Sequence, residues 1–131
     1  MVSAEDAARI CRCELSEVRR YRKAVLPRPP SGQPDDGESS VSEVAAMAAG
    51  CAVRRWGVAA LTKQADPLVA RLALKPPNDR EWLLVKDTPR GGLREIVPPY
   101  TAVGRFGKAA PKVFDPTPYY AEIDRVSSWS T

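Results

Sequence analysis

The chain has 131 residues, with 20 Lys+Arg against 16 Asp+Glu for a net charge of +4, and 44% of it is hydrophobic, enough for a core. It has no histidine, which excludes Ser-His-Asp and Cys-His catalysis, and its three cysteines are one short of an all-thiolate zinc site. No apolar run nears the roughly 18 residues of a membrane helix, the opening MVSAEDAARI lacks the apolar stretch of a secretion signal, and an odd cysteine count suits reduced thiols, so a cytoplasmic chain away from the membrane is expected.

Ser3 followed by Glu5 and Asp6 predicts a capped helix over residues 4–11, with Ala7, Ala8, Ile10 and Cys11 on its apolar side. After a short break, Ser16 is expected to cap a second helix running to about Val25. Val18, Tyr21 and Val25 share one of its faces. Glu17, Arg19, Arg20, Arg22 and Lys23 take the other, and Pro27 ends the helix. Residues 27–40, PRPPSGQPDDGESS, hold four prolines, two glycines and three acids, which predicts a linker. Ser40 with Glu43 has capping-box spacing and opens a helix through the alanine run to Gly50, read as its stop. A further helix is expected over 52–64. The next is capped by Asp66, has Pro67 at its first position, and carries Leu68, Val69, Leu72 and Leu74. Two β-prone runs, 82–85 and 93–97, flank a turn cluster and predict a hairpin with Arg90 at a basic tip. Residues 100–116 are expected to be extended, with a last short helix from Thr117 through Val126.

The charge is unevenly placed. Residues 1–30 carry seven bases and four acids, residues 31–66 three and five, and residues 67–131 ten and seven. Two basic zones around an acidic middle suit a polyanion touched at two points, although ordinary solvated faces give the same pattern.

The stretch AEDAARICRCELSEVRRYRK, residues 4–23, resembles the helix-turn-helix of DNA-binding proteins, notably the MerR-like and excisionase-like families and phage repressors. Ala8 matches the small residue where the two helices cross. Cys11 and Cys13 match the apolar sites around the turn, and Val18 and Tyr21 the anchors of the second helix. Leu26-Pro27 matches the Leu-Pro step that ends that helix. Where the family usually has glycine in the turn, this chain has Arg12. The resemblance implies double-stranded DNA as partner, with the second helix as reader. Arginine can bond guanine at two points or grip phosphate, and glutamate can accept from cytosine. It therefore assigns Ser16, Glu17, Arg19, Arg20, Arg22 and Lys23 to the DNA. A helical hairpin with a solvated charged face is the plainer alternative.

The pieces AARICRC (7–13) and AAMAAGC (45–51) also align. As a second copy, the latter would have its turn at Gly50 and Arg54 and Arg55 on its reader. The hairpin would then stand where a winged helix-turn-helix has its wing, with Arg90 at the DNA. The bland reading is a set of core helices. Arg105 and Lys108, in the glycine-flanked GRFGK, are candidate basic arms for a minor groove. Cys11, Cys13 and Cys51 read as structural residues, and neither metal nor cofactor is expected.

The sequence thus predicts a mainly α chain. A helix-turn-helix spans 1–28 and a linker 29–40. A second helical unit with a β-hairpin spans 41–99, and an extended tail with a short helix spans 100–131. The expected function is sequence-specific binding of duplex DNA by a small, non-enzymatic transcriptional regulator of repressor or excision-factor type. It would act as a homodimer or as a monomer with tandem units. The alternative is a protein-interaction module, such as an antitoxin or phage assembly adaptor, gripping its partner through the alanine-rich helices and the tail.

Overall fold

The computed structural model describes residues 1–26, 37–87, 92–97 and 113–129. Among them are helices α1 (Ala4–Cys11), α2 (Leu15–Ala24), α3 (Val41–Arg55) and α4 (Ala59–Leu72), strands β1 (Leu83–Asp87), β2 (Gly92–Ile96) and β3 (Val113–Phe114), and a last helix α5 (Thr117–Trp129). The mainly helical class and the hairpin agree with expectation. The third strand was not foreseen.

Helix α3 is the spine, with α1, α4 and α5 packed on it. It starts in the expected capping box: Ser40 Oγ accepts from the Glu43 amide at 3.2 Å, and Glu43 Oε1 from the Ser40 amide at 2.7 Å. It then continues through Gly50, where it was expected to stop. A Cβ on Gly50 would lie 2.8 Å from the Tyr21 hydroxyl and closer still to Val69 Cγ2. Glycine is there for close approach, and the chain turns instead at Gly57, with φ of +72°. This corrects the second-copy reading, since residues 45–51 lie within one helix and contain no turn. Ala45, Ala46, Ala48 and Ala49 are buried in the chain's own core, so they offer no surface for gripping a partner.

The expected boundary at Asp66-Pro67 is also absent. Both residues lie inside α4, which starts at Ala59. Proline there removes one helical donor. Leu61, Ala65, Leu68, Val69 and Leu72 nevertheless form one buried face, and that burial keeps the helix continuous.

Strand β1 is central, in the order β2-β1-β3, with both pairings antiparallel. Leu84 stands between Glu95 of β2 and Phe114 of β3. Leu83, Leu84 and Val85 are all buried, as a central strand covered on both faces requires. Trp82 is buried against Phe114, at 6.0 Å between ring centroids, and Phe114 meets Tyr119 at 5.0 Å. Helix α5 runs three residues beyond the expected end and buries Tyr120 and Ile123. Residues 113–129, expected as a tail, therefore close the core.

Residues 37–40, read as the end of a linker, are held in place. Val2 and Ser39 form an antiparallel bridge, with amide-to-carbonyl distances of 2.8 Å in both directions, and Ser39 is fully buried. One hydrophobic cluster runs from Val2 to Ile123 and joins all of these pieces.

Candidate nucleic-acid interface

The junction between α1 and α2 is set by hydrogen bonds. Ser3 Oγ accepts from the Asp6 amide at 3.2 Å and caps α1 as expected. At the other end, the Cys13 amide donates to Ala8 O at 3.1 Å and the Arg12 amide to Arg9 O at 3.3 Å. This is a Schellman ending, which needs a left-handed residue at Arg12. Arg12 supplies it, with φ of 56° and ψ of 45°. Glu14 then takes the cap position of α2 without a side-chain bond, so Ser16, expected there, lies inside the first turn.

Val18 and Tyr21 bury one face of α2. Ser16, Arg19 and Lys23 are exposed, and their spacing of three and then four residues puts them on a common stripe. Arg19 has no partner among the described residues. Other residues of the predicted reader face are engaged within the fold. Arg20 grips Asp66 at two points, 3.0 and 3.1 Å, and Arg54 donates to the same carboxylate at 2.7 Å and to Glu17 at 3.2 Å. Glu17 also lies 3.7 Å from Arg20 Nε. Two cations and two anions thus cancel in a network joining α2, α3 and α4, so Glu17, Arg20 and Arg54 are committed to the fold. The Arg20 hydrogen bonds, with help from Arg54, hold the Asp66 carboxyl below its usual range against partial burial. The two guanidiniums flank the Tyr21 ring, at 4.6 and 5.4 Å from its centroid. Burial, with the Cys51 sulfur next, pushes the Tyr21 hydroxyl up.

Arg22 donates to Ser39 Oγ at 2.8 Å and to the Glu38 carbonyl, tying α2 to the segment before α3. Arg55 is exposed, with Nη1 3.5 Å from Cys11 O. The predicted contacts Arg90, Arg105 and Lys108 lie outside the described residues. On the other side of the turn, a hollow of about 570 Å³ opens between α1 and α5, with Arg9, Arg12 and Arg125 around Tyr119 and Glu122.

Asp66 escaped sequence reasoning as a site residue because its place before Pro67 suggested a cap. A signal was present. It is the only acid between Glu43 and Asp79, a span with five bases. Cys11 and Cys51 are buried and Cys13 is partly exposed, and the Cys11 thiol donates to the Val44 carbonyl at 3.4 Å. Among the described residues, no group of histidine, cysteine or acidic side chains is arranged to hold a metal ion, and no helix is long and apolar enough to cross a membrane.

No family model, curated protein or solved structure matches this chain.

Proposed function

We propose that the chain is a small transcriptional regulator that binds double-stranded DNA sequence-specifically, reading it with α2 and catalysing nothing. The observation that carries this reading is Arg12. The residue standing where helix-turn-helix proteins usually have glycine adopts the left-handed conformation that glycine would supply. The two short helices on either side leave Ser16, Arg19 and Lys23 on one exposed stripe, from which Arg19, without a partner among the described residues, can reach base edges and phosphates. The reader is narrower than sequence implied, because Glu17 and Arg20 hold α2 onto α3 and α4. A cytoplasmic repressor or excision factor of a phage or mobile element fits this size and charge.

The test is selection of bound sequences from a library of randomised duplexes, followed by titration of the enriched duplex. An enriched motif is expected, palindromic for a homodimer and asymmetric for a monomer. With two or three phosphates neutralised, affinity should fall between about 10- and 50-fold from 50 to 200 mM salt. Arg19→Ala should weaken binding about 10- to 100-fold while the far-ultraviolet spectrum stays unchanged. A folded Arg19→Ala protein with undiminished affinity, or binding indifferent to salt, refutes the assignment.

A further inference from the structure

The Schellman turn after α1 needs a left-handed residue, but it does not need a side chain. Glycine would adopt φ of 56° without the cost that a Cβ brings there, yet the chain has arginine. The Arg12 guanidinium is exposed and has no partner among the described residues, so nothing in the fold offsets that cost. Uncompensated strain of this kind collects where a ligand is held. Arg12 lines the hollow of about 570 Å³ between α1 and α5. Arg9 joins it from α1 and Arg125 from α5, and among the described residues Glu122 is the single carboxylate of the lining. Arg9 also meets Asp6 at 2.9 Å and Arg125 meets Glu122 at 3.6 Å. Both are exposed pairs one helical turn apart, which hold weakly and can open to a better anion. The half-buried Tyr119 ring adds an aromatic surface, fixed by Phe114 at 5.0 Å between centroids.

We propose that this hollow binds a nucleoside monophosphate. Its volume lies within the roughly 300–1,000 Å³ of small-molecule sites, which gives room for a base, a sugar and a phosphate rather than for an ion alone. A phosphate monoester brings up to two negative charges and three terminal oxygens, which three guanidiniums match better than they match the two oxygens of a carboxylate. The Tyr119 ring offers the flat surface on which a base stacks, and every base has a π-face. Ionised Glu122 can only accept, so it takes the donors of the ligand, a sugar hydroxyl or an exocyclic amine, and disfavours a molecule that is anionic throughout. Cations from the end of α1 and from one side of α5 then close on the same molecule, and the ligand clamps the turn to the last helix. None of this depends on what α2 reads.

AMP, GMP, CMP and UMP are each titrated into the wild-type protein by isothermal titration calorimetry, beside sodium phosphate and the matching nucleosides. At least one nucleotide is expected to bind with a Kd of roughly 1 mM or tighter, and about tenfold or more tighter than phosphate or its own nucleoside. Arg12→Gly removes the guanidinium and keeps the left-handed turn. It should weaken that nucleotide about 10- to 100-fold without lowering the urea midpoint of unfolding. Arg125→Ala, on the opposite wall, should weaken it too. Lys63→Ala removes the same charge from an exposed position outside this hollow and should leave the affinity unchanged. The proposal is overturned if no nucleotide binds at roughly 1 mM, or if phosphate or the nucleoside binds as tightly as the nucleotide. Undiminished affinity in Arg12→Gly or Arg125→Ala, or an equal loss in Lys63→Ala, overturns it as well.

Discussion

Gly50→Ala should destabilise the protein although alanine is the better helix former. Gly50 sits in mid-helix, where alanine alone would add about 1 kcal/mol. Against that stand two neighbours. The new Cβ would lie 2.8 Å from the Tyr21 hydroxyl and nearer to Val69 Cγ2, while optimal carbon contacts need about 3.5–4.0 Å. Val69 is fully buried and β-branched, so its χ1 is stiff, and Tyr21 is fully buried between two guanidiniums. Relief therefore requires α3 and α4 to part, and overpacking of this kind costs up to about 3 kcal/mol. The net loss should be about 2 kcal/mol. In urea unfolding followed by circular dichroism, this appears as a lower midpoint at unchanged slope. Adding Val69→Ala removes the nearer obstruction, so the two substitutions together should cost less than the sum of each alone. A Gly50→Ala protein as stable as wild type, or strictly additive losses, would refute the close-crossing argument.

Arg12→Gly should stabilise the fold by about 0.5–1 kcal/mol in the same assay, since a left-handed arginine costs about 1–2 kcal/mol and glycine's extra freedom in the unfolded chain returns part of that; a loss of stability would contradict it. Asp66, held below its ordinary range by Arg20, contributes stability that is present above about pH 4 and disappears as pH falls through its folded value. Asp66→Asn should therefore be less stable at pH 7, by about 0.5–1 kcal/mol given solvent screening of this half-exposed network, and should lose less on acidification from pH 5 to 3. Parallel stability–pH curves for the two proteins would count against the Asp66 network.

Local chemistry was legible where it acted alone. The Ser3 cap and the Ser40–Glu43 box start helices where the sequence places them. Apolar runs placed the hairpin, and the spacing of Val18 and Tyr21 gave the buried face of α2. The errors share one cause: a residue type with two uses. Gly50 was read as a cap but serves a close crossing. Pro67 was read as a start but is tolerated inside a buried helix. Asp66 was read as a cap but is an ion-pair partner reached from 46 residues away. Charge on α2 was legible only as a total. Which arginines stay outside depends on Asp66 and Glu17, and pairing across three helices leaves no periodic trace.

The Val2–Ser39 bridge bears on how freely this chain can be edited. Leu26 is buried at one end of residues 27–36 and Ser39 is pinned near the other, with Arg22 holding the same point from α2. The two anchors are therefore fixed by the body of the protein. The length of what connects them is an almost independent variable: doubling it costs only about 0.6 kcal/mol of closure entropy. An inserted epitope or recognition segment between Pro27 and Asp36 should leave the helices where they are, whereas replacing Ser39 with proline, which removes one hydrogen bond of the bridge, should release both the first residues and the start of α3.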